Sequence, residues 1–123
     1  MSDDFTHVFI ERIAKLNDQL RTTFKGGRIL LSDTVMNLPP ELKKMVFLGV
    51  TEYREFRQPG YDTHDFGRFT LRGQSYYWAI QCYHPTLFEP STDPSDPTKT
   101  RRVLLISSVV SSYADAGVVS VAS

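Results

Sequence analysis

The sequence predicts an α+β fold in which two helices pack on one face of a mostly antiparallel sheet of about four strands. Two segments with a helical period of apolar residues predict the helices, and short apolar runs bounded by Gly, Pro and Asp predict the strands. The predicted order is therefore helix, strand, helix and three strands. A chain of 123 residues has the length of one domain and shows no internal repeat, so we assign residues 1–123 to a single domain.

The first helix is predicted over residues 5–24. Apolar side chains recur there every three or four positions, and charged side chains occupy the opposite face. Lys25-Gly26-Gly27 follows, which is typical of a helix end because glycine adopts the left-handed conformation without strain. The mostly apolar run Arg28-Ile29-Leu30-Leu31 is too short for a helix and is predicted as a strand.

The second helix is predicted to begin at Pro39-Pro40-Glu41, because proline is tolerated in the first turn of a helix. Its apolar stripe runs from Leu42 to Phe56, so we expect the helix to end near Arg57.

The second half of the chain predicts three strands. Residues 66–71 and 75–83 are expected to form a hairpin, and both faces of its second strand are apolar, as in a central strand. Residues 84–100 form a loop rich in Pro, Asp, Ser and Thr, and loops of this length are usually either functional or disordered. Residues 101–110 predict the last strand. The tail, 114–123, is expected to be either an edge strand or a frayed end.

Composition excludes several classes of function. The chain has 14 basic and 14 acidic residues, and this zero net charge disfavours nucleic-acid binding. Its single cysteine, Cys82, excludes a disulfide framework and a cysteine-based zinc site. No apolar stretch reaches the length of a membrane span, and the acidic N-terminus is unlike a signal peptide, so we expect a soluble cytoplasmic protein. Phosphate-binding glycine motifs are missing, and no cofactor is expected; the oligomeric state stays open.

The densest polar group of the sequence is formed by Tyr61, Asp62, His64 and Asp65. Two carboxylates and an imidazole within four positions can hold a metal ion or act as a general base. The alternative is structural, and the spacing favours it: the Asp side chains cap turns, His64 is partly exposed and Phe66 enters the core.

A second polar group lies in the long loop. Asp93 and Asp96 each precede a proline, which restricts the backbone and holds the carboxylates on a stiff loop, and Arg101 and Arg102 follow at the start of the last strand. Either these groups recognise a charged partner, or Asp–Arg pairs pin the loop internally.

The aromatic strand before this loop also allows two interpretations. Cys82 and His84 lie two positions apart and are able to form a nucleophile pair, but a small buried cysteine is the commoner case. Trp78 either stacks on a ligand or belongs to the core.

Several short motifs, taken in order, resemble a small family of unknown function found mainly in alphaproteobacteria, often on plasmids and integrated elements. The resemblance covers residues 11–113, and its most specific parts are the His-Asp-Phe-Gly and double Asp-Pro segments. The motifs are Asn17-Asp18, Gly26-Gly27-Arg28, His64-Asp65-Phe66-Gly67, Trp78-Ala79-Ile80, Ser91-x-Asp93-Pro94-x-Asp96-Pro97 and Thr100-x-Arg102-Val103-Leu104.

The chain also departs from this family at acidic positions. The family strand typically reads Trp-Lys-Ile-Asp-Tyr-Tyr-Asp, whereas residues 78–84 read Trp-Ala-Ile-Gln-Cys-Tyr-His, so both acids are lost. The acid that the family often shows before His-Asp-Phe-Gly is Thr63 here. These losses weaken an enzymatic interpretation, and we assign no catalytic and no metal-binding residue.

We therefore expect a small non-enzymatic module that binds a protein partner. The resemblance to a family carried by mobile elements implies a specific version, an inhibitor of a bacterial defence complex of the anti-CRISPR or anti-restriction kind. The predicted partner-binding residues are Tyr61, Asp62, His64, Asp65, Asp93, Asp96, Arg101 and Arg102.

Two alternatives stay open. A metal-dependent hydrolase or nuclease would use His64, Asp65, Asp93 and Asp96, provided that the two loops converge. A nucleic-acid-binding protein would use basic and aromatic side chains, namely Arg68, Arg72 and Trp78.

Overall fold

The computed structural model describes residues 2–56 and 62–109, with side chains from residue 6 onward. Tyr61 and the tail 114–123, for which predictions were made above, lie outside the described residues. The helices are α1 (Ser2–Thr23), α2 (Asp33–Met36) and α3 (Pro40–Thr51), with a 3₁₀ turn at Pro97–Lys99, and the strands are β1 (Arg28–Leu31), β2 (Phe66–Leu71), β3 (Gln74–Tyr83) and β4 (Arg101–Ser108). No helix within the described ranges is long and apolar enough to cross a membrane.

The four strands form one mixed sheet in the order β1-β4-β3-β2. β2 pairs with β3 and β3 with β4 in antiparallel register, whereas β1 runs parallel to β4 with Arg28 opposite Val103. The α+β class is confirmed, and the sheet is not purely antiparallel. β3 is an inner strand, as its two apolar faces predicted.

A two-residue turn joins β2 to β3. Leu71 pairs with Gln74, and the two residues between them, Arg72 and Gly73, have φ angles of +51° and +80°. Positive φ at both central residues is the signature of a type I′ turn, whose twist matches that of the flanking strands. This turn sets the register that decides which β2 and β3 side chains share a face.

The core combines one face of the sheet with side chains from all three described helices. Because directly paired residues share a face, the pairs Trp78–Ile106 and Ile80–Leu104 lie side by side. The buried cluster consists of Leu20, Val35, Val46, Val50, Tyr76, Trp78, Ile80, Leu104 and Ile106.

The short helix α2 was not predicted from the sequence. Ser32 begins it, because its hydroxyl accepts a hydrogen bond from the Val35 backbone N–H (3.4 Å). One turn of helix is too short to leave a periodic pattern, so only the Ser-Asp pair at its start marks it in the sequence.

Gly67 of β2 is required by the ring packed against it. A Cβ at this position would lie 2.3 Å from Nε1 of Trp78 and 2.8 Å from the Tyr53 ring. Phe66 points to the opposite face and is 55% exposed, so the expectation that it enters the core was wrong. Since side chains alternate along a strand, placing the glycine over Trp78 sends the phenylalanine outward.

Arg21 of α1 determines where α3 ends. Its side chain is buried, and its Nη1 donates hydrogen bonds to the carbonyl oxygens of Val50 (2.8 Å) and Tyr53 (3.1 Å). The last carbonyls of a helix have no partner within the helix, so a cation at this end satisfies them and interacts favourably with the helix dipole. The guanidinium also lies 5.1 Å from the Trp78 ring centroid.

The expectation that the second helix ends near Arg57 was wrong. The helix ends at Thr51, and Tyr53 and Phe56 pack against the core from the irregular segment that follows it. An apolar stripe reports which side chains are buried, and it continues here although the helical backbone does not.

We predict that Arg21→Lys lowers the free energy of unfolding by about 2 kcal/mol, because a lysine ammonium does not reproduce the planar donor array that bridges several carbonyls. The measurement is equilibrium urea denaturation. Arg12→Lys, at an exposed position of the same helix, is the control and should change stability by less than about 0.5 kcal/mol. Equal losses in both variants would contradict the role given to Arg21.

Candidate functional site

The first predicted site segment, residues 62–65, is a turn built around His64. The backbone N–H of His64 donates to Oδ1 of Asp62 (2.7 Å), so the expected capping role of Asp62 is confirmed. His64 has a φ of +56°, a conformation that costs a non-glycine residue about 1–3 kcal/mol and persists only where its surroundings impose it. Contacts with other parts of the chain therefore stabilise this turn.

Two contacts to the imidazole hold this turn. Nδ1 of His64 lies 2.9 Å from Oδ2 of Asp18 in α1, and the ring stacks on Phe56 at a centroid distance of 3.8 Å. The other oxygen of Asp18 accepts a hydrogen bond from Nη2 of Arg21 (2.8 Å). His64, Asp18 and Arg21 thus form a chain that ties the turn to α1 and to the end of α3.

The second predicted site segment is pinned by its own side chains. Oδ1 of Asp93 accepts hydrogen bonds from both the backbone N–H (3.1 Å) and the hydroxyl (2.6 Å) of Ser95. Asp96 repeats this arrangement with Thr98, at 2.9 and 2.7 Å. The hydrogen bonds from the Thr98 hydroxyl and then from its backbone hold the pKa of the Asp96 carboxyl below its usual value.

Hydroxyl groups complete this loop. The Thr100 hydroxyl donates to the carbonyl oxygens of Asp93 (2.9 Å) and Asp96 (3.0 Å), and the Ser91 hydroxyl donates to the carbonyl of Lys99 (2.8 Å). The loop is pinned internally, but by Ser, Thr and Asp side chains rather than by the Asp–Arg pairs that the sequence suggested. The Arg101 side chain lies on the face of β4 opposite to that of Arg102, and its Nε donates a hydrogen bond to the carbonyl of His84.

Asn17 and Arg102 connect the two segments. Nδ2 of Asn17 donates to the carbonyl oxygen of Thr63 (2.9 Å), and its Oδ1 accepts a hydrogen bond from Nε of Arg102 (2.8 Å). Nη2 of Arg102 donates in turn to the carbonyl of Pro94. One buried amide and one buried guanidinium therefore set the spacing between residues 62–65 and 93–96.

A cleft of about 250 Å³ opens between the two connected segments. Ile13, Ile80 and Pro94 form apolar walls of this cleft, and Asp65 is the acidic residue among those that line it. The side chain of Asp65 is exposed and makes no hydrogen bond or ion pair with the described part of the chain. The remaining lining residues are Asn17, Thr63, Gln81 and Cys82.

Two groups in or beside the cleft have shifted pKa values. Burial raises the pKa of the Cys82 thiol, and the charge of Asp65 raises it further, while Arg102 opposes these effects. Burial also lowers the pKa of the Arg102 guanidinium, which has no acidic partner among the described residues. A thiol with a raised pKa is a poor nucleophile at neutral pH.

His84 does not act on this thiol. Its Nδ1 accepts hydrogen bonds from the backbone N–H groups of Thr86 (3.1 Å) and Leu87 (3.2 Å), so it caps the start of the long loop. Trp78 is fully buried and does not present a face to a ligand.

The structure brings the predicted site residues together only in part. Asp62, His64 and Asp65 lie on one side of the cleft and the 93–96 segment on the other, while Arg102 is buried between them. Within residues 2–56 and 62–109, no three His, Cys, Asp or Glu side chains form a group able to hold a metal ion.

Sequence reasoning did not assign Asn17, Asp18 or Arg21 to the site. A signal was present for Asn17, because it shares the helix face of Ile13 and Leu20, where apolar residues are expected. The expectation that the charged side chains of this helix lie opposite the apolar face was wrong for Arg21, which is buried. A polar residue on the buried face of an amphipathic helix must find partners, and those of Asn17 lie 46 and 85 residues away in the sequence.

Comparison with known proteins gives one match. A family model described as a protein of unknown function, DUF3768, matches residues 31–109, a shorter stretch than the 11–113 expected from the motifs. No curated protein and no solved structure matches the chain. Asn17 and Asp18 precede the matched stretch, although Thr63 and His64, which they bond, lie within it.

We predict that Asn17→Ala lowers the free energy of unfolding by about 2–4 kcal/mol, because it leaves the Thr63 carbonyl and the Arg102 guanidinium without their partner. Amide hydrogen exchange should accelerate in both segments, 62–65 and 93–96. Gln19→Ala, exposed on the same helix, should leave stability and exchange unchanged. Faster exchange in only one of the two segments would contradict the connection.

The environment of Cys82 predicts slow alkylation. Because the thiolate is the reactive form and its pKa is raised, iodoacetamide should modify the folded protein more slowly at pH 8 than free cysteine, with the half-maximal rate at a higher pH. Asp65→Asn should move that midpoint to lower pH, because it removes a charge that raises the pKa. The measurement is the rate of alkylation as a function of pH, followed by mass spectrometry. An unchanged midpoint in Asp65→Asn would show that Asp65 lies too far from the thiol to affect its pKa.

Proposed function

The chain belongs to the DUF3768 family, and we propose that it is a non-enzymatic module that binds a protein partner at the cleft between residues 62–65 and 93–96. The observation that carries this proposal is the carboxylate of Asp65, which lines the cleft and has no partner among residues 2–56 and 62–109. The carboxylates of Asp93 and Asp96 and the imidazole of His64 have partners within the chain. They serve to shape the binding surface.

The size and chemistry of the cleft favour a single basic side chain as its occupant. A volume of about 250 Å³ lies below the range of about 300–1,000 Å³ that is typical of sites for whole small molecules. Lysine and arginine combine an apolar stem with a charged head, which matches the walls of Ile13, Ile80 and Pro94 and the carboxylate of Asp65. We therefore infer that a lysine or arginine of the partner enters here.

Preorganisation supports binding at this place. Ordering a loop on association costs free energy, and both segments are already ordered by hydrogen bonds that reach α1 and β4. The chain therefore loses little conformational entropy when a partner docks.

The specific version of this proposal is an inhibitor of a bacterial defence complex, of the anti-CRISPR or anti-restriction kind, carried on a mobile element. Such an inhibitor acts by covering a surface of its target. A small module with a rigid, acidic cleft suits the basic surfaces that nucleic-acid-processing complexes present.

We predict that the purified chain retains one protein in stoichiometric amount from a lysate of a host that carries such a complex, and that Asp65→Asn weakens the purified pair about tenfold. Isothermal titration calorimetry measures the affinity. Glu11→Gln removes the same charge from an exposed position of α1 and should leave the affinity unchanged.

Two outcomes would contradict this proposal. One is the absence of any stoichiometric partner, and the other is an equal effect of Asp65→Asn and Glu11→Gln. The hydrolase alternative predicts instead a thermal shift with divalent ions that His64→Ala abolishes, together with turnover.

A further inference from the structure

The face of the sheet that points away from the core carries a distinct set of side chains. The strand register places Phe66, Arg68, Tyr77, Tyr83 and Arg101 on this face, because each is paired with a residue of the same face. The buried cluster and the partly buried apolar residues packed against it contain none of them.

The outward face of the sheet is basic. The strand residues on the outward face include three arginines, Arg28, Arg68 and Arg101, and no acid. Asp65, in contrast, lines the cleft together with Ile80 and Cys82, whose side chains lie on the core side of β3. The zero net charge of the chain therefore conceals a basic sheet surface.

Aromatic rings stand at both ends of this surface. Phe66 is 55% exposed and stacks with Tyr77 at a centroid distance of 6.1 Å. At the other end the Arg101 guanidinium lies 5.2 Å from the Tyr83 ring and 5.6 Å from the Phe88 ring. Phe88 is 95% exposed, so its ring gains nothing from burial on folding and is available to a partner.

The loop that carries Phe88 is ordered. Nδ1 of His84 accepts hydrogen bonds from the backbone N–H groups of Thr86 and Leu87, and the backbone N–H of His84 donates to the carbonyl of Glu89 (2.7 Å). The Arg101 side chain also donates to the carbonyl of His84 (3.4 Å). The exposed ring is thus held in place before any partner arrives.

We propose that this aromatic–arginine face, defined by Arg28, Phe66, Arg68, Tyr77, Tyr83, Phe88 and Arg101, binds single-stranded nucleic acid. Phe66 and Phe88, the exposed rings of this face, are placed to stack on unpaired bases, and arginines neutralise the phosphates between them. Tyr77 and Tyr83 are half-buried, and Val103 and Ser107 of β4 on the same face are buried, so the strand would run along β2, β3 and the Phe88 loop. Tyr83 lies six positions after Tyr77 in β3, about 20 Å along the strand, which accommodates several nucleotides. This function goes beyond protein binding at the cleft and uses a different surface.

The chemistry favours a single strand over a duplex or a protein. Paired bases do not present their faces to aromatic side chains, so stacking requires an unpaired strand. Three arginines without an interspersed acid on the strands match the repeated phosphates of a nucleic-acid backbone.

The experiment measures fluorescence anisotropy of labelled single-stranded oligonucleotides, twenty thymidines or twenty uridines, with the purified chain. We expect binding at low salt that weakens as salt rises, with a log–log slope of about −2 for three neutralised phosphates. Phe88→Ser and Phe66→Ser should each weaken binding at least fivefold, and Arg68→Gln should reduce the slope by about 0.7.

A second exposed cation–π pair on α1 provides matched controls. The Arg12 guanidinium lies 5.9 Å from the Phe9 ring, and both residues are exposed. Phe9→Ser and Arg12→Gln should leave the anisotropy curve unchanged. Circular dichroism establishes that each variant is folded; because Phe88 is almost fully exposed, its replacement leaves the core intact.

Three results would overturn the proposal: no oligonucleotide binding at low salt, equal binding of a duplex of the same length, or equal losses in the α1 controls. Retention of a protein that depends on Phe88 and Phe66, without oligonucleotide binding, would make this face a protein interface and would also overturn it. Asp65→Asn should not change oligonucleotide affinity, so failure here and failure of the proposed cleft function are distinguishable.

Discussion

Two buried arginines need hydrogen-bond acceptors, and this requirement organises most of the structure. A charged group removed from water is tolerated only where polar groups surround it. Arg21 finds the carbonyls at the end of α3 together with Asp18, and Arg102 finds Asn17 and the carbonyl of Pro94. Because these acceptors belong to different segments, each guanidinium fixes the position of elements that are distant in the sequence.

The helix α1 is the element on which both arrangements converge. It supplies Asn17, Asp18 and Arg21 within five positions, and through them it contacts the 62–65 turn, β4 and the end of α3. The strained backbone of His64 is a consequence, since the imidazole is held between Asp18 and Phe56. Next to His64 in the chain, Asp65 lines the cleft and bonds no side chain of the part of the protein that the structure describes.

The two candidate surfaces lie on different sides of the sheet. The cleft, with the single carboxylate of Asp65, lies where the core face meets the two loops, while the outward face presents arginines and aromatic rings. A neutral total charge therefore says little about what such a protein binds, because binding responds to the local potential and not to the sum. The proposed cleft function and the proposed nucleic-acid function depend on this separation.

The sequence by itself determined the class of the fold, the first strand, the hairpin and the inner position of β3, because each is written in local periodicity or in a short turn. It did not reveal the parallel pairing of β1 with β4, the end of α3 at Thr51, or the outward position of Phe66. Only the tertiary structure decided these, and with them the site, because they follow from contacts between residues far apart in the chain. Hydrogen bonds of Arg21 and Arg102 to backbone carbonyls leave no local pattern, since every residue carries such a carbonyl.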